Sequence, residues 1–316
     1  MFWPIFNQTA VLLTFMVIGF LLLKWKLVPD NTDSALSRLE KYVFVPALVL
    51  NTFISRCTMD ALSAAWRLFL LGICFASIVI PFSLAVARVL FKDKTLRDIA
   101  SYALTFSNYG YMGNAIMLAV FPNIFFEYTI FTLPFTLLLY IWGVPVLLLK
   151  DKEGIKDKKK QLPPFINPMF ASMLIGITIG LSGLCLPTFL DTAIDTAANC
   201  MSPVAMLLTG MVIAKLDIPQ FIKRWRIYVF VGVKLLVVPL LYVLLAVLLP
   251  QNTFITQTAL ICGMCYASMP TGLNAVILPA AYGKDVSDAA GMACVSHLLS
   301  ILTIPLMFML FQTVVL

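Results

Sequence analysis

Residues 107–118 read SNYGYMGNAIML and residues 267–278 read ASMPTGLNAVIL, so that NAIML at 114–118 returns as NAVIL at 274–278, 160 residues on in a chain of 316. Both stretches interrupt long apolar runs with helix breakers. Gly110 and Gly113 stand just ahead of Asn114, and glycine is about 1 kcal/mol poorer than alanine inside a helix. Pro270 and Gly272 hold the corresponding place ahead of Asn274. Proline removes one helical hydrogen bond and clashes with the preceding turn, so it ends one helix and can open another. The two segments therefore read as helices broken near their middles.

The surrounding chain has the composition of a membrane protein. Apolar residues make up 61% and charged residues 12%, against about a quarter charged in soluble domains, and the mean hydropathy is +0.97. Runs long enough to cross a hydrocarbon core of roughly 30 Å as helices of about 20 residues lie near 5–23, 39–55, 66–91, 98–121, 126–149, 166–186, 192–214, 227–249, 256–281 and 287–313. These ten spans predict an all-α membrane protein. The first span has no basic residue before it, which reads as a retained span and not a cleaved signal peptide.

The loops after spans 1, 3, 5, 7 and 9, with the span ends beside them, carry 19 of the 22 Lys and Arg residues. By the positive-inside rule that side is cytoplasmic, which predicts a multi-pass protein of the cell (inner) membrane with both termini on the outer side. The net charge of +7 is thus accounted for by topology, and no nucleic-acid partner is implied. The segment KDKEGIKDKKKQLPP at 150–164 reads as a basic cytoplasmic linker touching anionic headgroups. It divides the chain into 1–149 with spans 1 to 5 and 165–316 with spans 6 to 10.

An odd number of spans in each half means that duplicated halves must lie in opposite orientations. Further landmarks keep nearly the same offset: PIFN at 4–7 against PFIN at 164–167, and PALVLNT from Pro46 against PVAMLLT from Pro203. Inverted repeats are a construction of secondary transporters, whose substrate sites lie near the midplane where broken helices of the two halves meet. Unwound backbone at that depth must be buried in protein or line a watery cavity. Each second half-helix would start with free N–H groups and a positive dipole end, suited to a carboxylate. Asn114 and Asn274 would donate to the anion, with Asn108, Ser107, Ser268 and Thr271 as further donors or caps. The alternative reading is that the glycines permit close helix packing while the amides bond between helices.

Two ionisable residues fall inside spans. Lys234, eight residues after Arg226, is a candidate for attracting or balancing an anionic substrate, with snorkelling to the headgroups as the alternative. His297, the only histidine, is a candidate coupling-proton carrier, or else a neutral hydrogen-bonded group. The seven cysteines show no metal spacing and read as thiols, five of them within spans; Cys57 and Cys185 both fall near the outer face.

From these stretches, together with KLLVVP at 234–239 and GMACVSHLLSILTIPLMFML at 291–310, the sequence resembles the auxin efflux carrier family, which includes plant auxin exporters and bacterial carriers assigned to malonate and other organic acids. The resemblance covers all ten spans. It implies the crossed-helix fold of the bile acid sodium symporters, with spans 1, 2, 6 and 7 as a scaffold and spans 3 to 5 and 8 to 10 as a core that moves like an elevator. It places substrate contacts at the crossover, on Asn114 and Asn274. The family often has an acidic residue in span 2; here no carboxylate lies well inside any span and Asn51 is the nearest polar residue, which argues against proton coupling at that position.

The expected function is secondary transport of a small organic anion, coupled to H⁺ or Na⁺ with no other cofactor, in lipid and compatible with a homodimer. A membrane-embedded sensor that binds without turnover is the alternative. An intramembrane enzyme is disfavoured, since neither an HExxH motif nor paired carboxylates occur within the spans, and a channel would not saturate.

Overall fold

The computed structural model describes residues 2–148, 168–215, 223–249, 251, 254–281 and 285–316. The basic linker at 150–164 and the PFIN landmark lie outside them. The described residues are helical apart from loops and one isolated antiparallel bridge between Ser107 and Thr271. Six helical stretches are long and apolar enough to cross a membrane unbroken: Phe2–Lys24, Met59–Leu90, Pro122–Leu148, Thr188–Ala214, Trp225–Leu248 and Ser287–Val314. A shorter apolar helix covers Pro168–Ser182. The expected spans 4 and 9 are each divided in two.

In chain order the α-helices are α1 (Phe2–Lys24), α2 (Thr32–Leu39), α3 (Val45–Arg56), α4 (Met59–Leu90), α5 (Lys94–Thr105), α6 (Asn114–Val120), α7 (Phe125–Leu138), α8 (Pro168–Ser182), α9 (Thr188–Ala214), α10 (Trp225–Gly232), α11 (Val238–Leu248), α12 (Gln257–Ser268), α13 (Asn274–Ala281) and α14 (Ser287–Val314). Wider π-helical turns occupy Glu40–Phe44, Tyr109–Gly113, Leu139–Leu148 and Val233–Val237. Three of them have a local cause. A proline ring collides with the carbonyl four residues before it, and for Pro46, Pro145 and Pro239 that carbonyl belongs to Tyr42, Ile141 and Leu235, each inside a π turn. Widening the turn relieves the collision without ending the helix.

The chain forms two compact units. One comprises Met1–Thr14, Arg67–Asp151 and Lys215–Leu316; the other comprises Phe15–Trp66 and Lys152–Ala214. In the second unit α3 packs on α8 and α9, burying Leu48, Val49 and Phe53. The Cβ of Phe53 lies 2.7 Å from where a Cβ on Gly176 of α8 would stand. The later turns of α1 approach α9 more closely still: a Cβ on Gly19 would overlap the Leu207 carbonyl, and one on Gly210 would overlap the Met16 carbonyl. Such reciprocal small-residue contacts let backbones meet where lipid gives no hydrophobic drive for helix association.

This unit also buries a carboxyl group that the sequence reading did not place inside the protein. Glu40 is 0% exposed, and neither of its carboxyl oxygens has a hydrogen-bond partner among the described residues. Asn51 donates to Asp195 of α9 at 3.1 Å, and Asn199 donates to the other oxygen of the same carboxylate at 3.1 Å. A carboxylate thus reaches the Asn51 position from span 7.

In the first unit, α7, α11 and α14, with the π turns Leu139–Leu148 and Val233–Val237, pack against the two divided spans. An aromatic cluster lies behind the division: Tyr266 stacks on Phe135 with centroids 3.9 Å apart and on Tyr109 at 5.2 Å, while Phe75 meets Tyr242 at 5.2 Å. Leu240 and Leu244 of α11 and Leu298 and Leu302 of α14 point away from the protein. Such apolar faces suit hydrocarbon and not water.

Gly210→Leu forces a branched side chain into the Met16 backbone. We expect a loss of about 1–3 kcal/mol or more from overpacking, seen as a lower melting temperature of the purified protein in detergent; an unchanged melting curve would show that this contact does not hold the unit together.

Candidate functional site

The two interruptions are built differently and meet. After α5 the backbone leaves the helix at Phe106 (φ −99, ψ 90) and Asn108 (φ −76, ψ 47), then rewinds through Tyr109–Gly113 into α6. The break therefore precedes Gly110 and Gly113, the helix breakers that mark span 4 in the sequence. In span 9, Met269 is extended (φ −70, ψ 145), as expected of a residue before proline. Ser107 and Thr271 form the antiparallel bridge, and the Asn108 N–H donates to the Pro270 carbonyl at 2.8 Å. A Cβ on Gly272 would lie 3.1 Å from the Phe106 carbonyl oxygen, so the small residue permits this approach.

The end of α5 leaves carbonyls without helical donors, and two buried side chains supply them. The Lys234 ammonium donates to the Leu104 carbonyl at 3.0 Å and to the Ser107 hydroxyl at 2.6 Å. The Tyr266 hydroxyl donates to the Thr105 carbonyl at 2.7 Å. Lys234 is 0% exposed, so it does not snorkel. Its hydrogen bonds are to a carbonyl and a hydroxyl, and no ion pair joins it to a described carboxylate. A cation at a helix C-terminus also complements the helix dipole. On the other strand of the crossing, the Thr271 N–H donates to the Ser296 hydroxyl of α14 at 3.3 Å.

His297 comes to the same place from α14. Its Nε2 lies 2.9 Å from the Asn108 amide nitrogen and its Nδ1 lies 2.8 Å from the Ala293 carbonyl. The adjacent residues Ser107 and Asn108 are therefore held by the two basic side chains that the sequence singled out within spans. The π turn that follows is fixed by Tyr128, whose hydroxyl donates to the Tyr109 carbonyl at 3.2 Å, and by a 3.0 Å hydrogen bond between the Tyr109 and Thr136 hydroxyls.

Asn114 and Asn274 are the first residues of α6 and α13, and both are partly accessible. The Asn114 amide makes no hydrogen bond to a described residue, and the Tyr102 hydroxyl lies beside Asn274. The hydroxyl oxygens of Thr105 and Thr271 are buried without a hydrogen-bond partner among the described residues. Gly110 faces open space, whereas a Cβ on Gly113 would overlap the Tyr128 hydroxyl. Ser268 turns back onto the Met264 carbonyl at 2.8 Å and so offers no donor to the break. Pro46, Pro203 and Asn51 belong to the second unit and are not part of this cluster.

A family profile described as membrane transport protein matches the chain over residues 4–164 and again over 157–308. The chain belongs to this family, that of the auxin efflux carriers. No curated protein matches it individually. Membership makes the chain a membrane transport protein and sets it apart, at that general level, from enzymes. Within this transporter fold the residues missed by sequence reasoning are Tyr266, Tyr128, Tyr102 and Ser296. Aromatic residues in an apolar span carry no pattern that reveals a hydroxyl aimed at a helix end. All seven cysteines are free thiols, and no group of three His, Cys, Asp or Glu among the described residues could hold a metal.

Lys234→Met keeps the stem but deprives the Leu104 carbonyl and Ser107 hydroxyl of their donor. The expected cost is about 1–3 kcal/mol, the penalty for leaving a buried polar group unpaired, read as a lower melting temperature. An unshifted melting curve would mean that Lys234 does not stabilise the break.

Proposed function

We propose that this family member is a secondary active transporter of a small organic anion such as a carboxylate, with ten crossings in two inverted five-span halves and the substrate held at the paired breaks of spans 4 and 9. The observation that carries this reading is the pairing itself. Two interrupted helices meet backbone to backbone, and each resumes at an asparagine: the Asn114 amide has no partner among the described residues, and the Asn274 amide lies beside the Tyr102 hydroxyl. The buried Lys234 ammonium, hydrogen-bonded to Ser107 in the span 4 break, would provide a positive field with no described carboxylate paired to it. Burial strengthens that field, since an effective dielectric well below that of water screens it less.

An elevator-like alternating access fits the grouping of the chain. The unit that contains both breaks draws on spans 3 to 5 and 8 to 10, and would be the moving body; the unit that contains span 2, span 7 and the glycine-packed part of span 1 would be the scaffold. On this reading the protein lies in the cell membrane with both termini outside, and either H⁺ or Na⁺ drives it. A sensor that binds the same anion without turnover is the second reading, because fold does not fix function.

Counterflow of radiolabelled malonate and a panel of small monocarboxylates in proteoliposomes tests the proposal. Wild type should exchange at least one of them, and Asn114→Leu and Asn274→Leu should each lower exchange by tenfold or more while eluting as folded protein. Binding without exchange would favour the sensor, and full exchange in both variants would move the site elsewhere.

A further inference from the structure

The hydrogen bonds of His297 specify where its proton is. A carbonyl oxygen only accepts, so the contact between Nδ1 and the Ala293 carbonyl at 2.8 Å requires the hydrogen on Nδ1. In the neutral ring Nε2 is then an acceptor, which matches the Asn108 amide nitrogen at 2.9 Å. The ring thereby directs the NH₂ of Asn108 towards α14 and leaves its Oδ1 on the other side. A second proton can enter only at Nε2. An N–H there cannot face an NH₂ group, so the amide must turn over about its Cβ–Cγ bond and present Oδ1 to the ring. The NH₂ is then delivered to the side that Oδ1 had occupied.

We propose that His297 and Asn108 form a proton-read switch at the paired breaks, in which a proton on Nε2 turns the side of the Asn108 amide that faces away from the ring from acceptor to donor, so that an organic anion and a proton bind together. This rests on the function proposed above. The anion supplies what the protein lacks. Among the elements packed against α14, the π turn Val233–Val237 carries Lys234, α10 carries Arg226 and Tyr228, α11 carries Tyr242, and α12 carries Cys262, Cys265 and Tyr266. On α5 stand Lys94, Arg97, Asp98 and Tyr102, α13 has no titratable group, and Asp288 of α14 itself is paired with Arg224. The charge bonded into the break is thus Lys234, through Ser107. An imidazolium one residue along from that ammonium is disfavoured unless an anion joins them. By linkage, the anion must then draw a proton onto the ring, and a proton must tighten the anion by the same factor. His297 is a positioning residue here, acting through Asn108.

Because the chain has a single histidine, ¹⁵N-histidine labelling of the protein in lipid nanodiscs reports this one ring. Without anion at pH 8 the proton should lie on Nδ1, and Asn108→Leu should shift the Nε2 resonance. With malonate bound at pH 6, Nε2 should become protonated, and malonate affinity should rise by up to about tenfold per unit fall in pH while the ring titrates. His297→Gln, which keeps an acceptor but cannot take the proton, should bind with a flat pH profile. A proton on Nε2 in the anion-free protein, an Nε2 resonance indifferent to Asn108→Leu, a neutral ring with malonate bound, or an unaltered pH profile in His297→Gln would each overturn the switch. If neither malonate nor any monocarboxylate of the panel binds, the substrate class of the proposed function fails, and the anion-free ring and its response to Asn108→Leu still decide the pairing.

Discussion

Everything in the first unit follows from one constraint: backbone that leaves the helix inside a membrane protein must find hydrogen bonds, because hydrocarbon offers none. Span 4 unwinds at Phe106–Asn108 and span 9 at Met269–Leu273, and each supplies part of what the other lacks through the Asn108 N–H and Pro270 carbonyl. Side chains supply more of the rest. Lys234 and Tyr266 cap the carbonyl end of α5, while Ser296 receives the Thr271 N–H. The aromatic cluster around Phe135 packs against the Tyr266 ring whose hydroxyl caps Thr105. Buried polar networks of this kind are stable when their members are partnered, and the atoms left over mark where a ligand could complete them. Here these include the hydroxyl oxygens of Thr105 and Thr271, unpartnered among the described residues.

The electrostatic character of the site follows from the same economy. A helix that ends inside the protein presents the negative end of its dipole, and the residue that meets it is a lysine. Its hydrogen bonds go to a carbonyl and a hydroxyl, and no described carboxylate is paired with it. On the other side of the break, the Ala293 carbonyl fixes a hydrogen on Nδ1 of His297 and leaves Nε2 to face the Asn108 amide.

Much of this was legible in the sequence, for reasons that differ by residue. Pro270 located the span 9 break because its ring has direct backbone consequences for Met269, and the repeated NAIML and NAVIL marked where both helices resume. The span 4 break fell before Gly110 because glycine only weakens a helix, whereas the pairing with Pro270 and Thr271, contacts 160 residues distant, selects the residues that leave it. Snorkelling was a fair alternative for Lys234 until the structure showed its ammonium on Leu104 and Ser107. Nothing local in the sequence foretold Tyr266 as a cap, Asp195 as the partner of Asn51, or the full burial of Glu40, because each depends on which helices pack together. The π turns before Pro46 and Pro239 were readable in principle, from the carbonyl that each proline displaces.

The central claim is that the two paired breaks hold an anion between the amides of Asn114 and Asn274. Dipolar dephasing between ¹³C-carboxylate-labelled malonate and ¹⁵N-asparagine-labelled protein in bilayers tests it most directly. The account predicts strong dephasing of the bound carboxylate signal in wild type that weakens in Asn114→Leu and in Asn274→Leu and vanishes in the double variant. Bound malonate whose dephasing is the same in the double variant as in wild type would place the anion elsewhere and contradict the account.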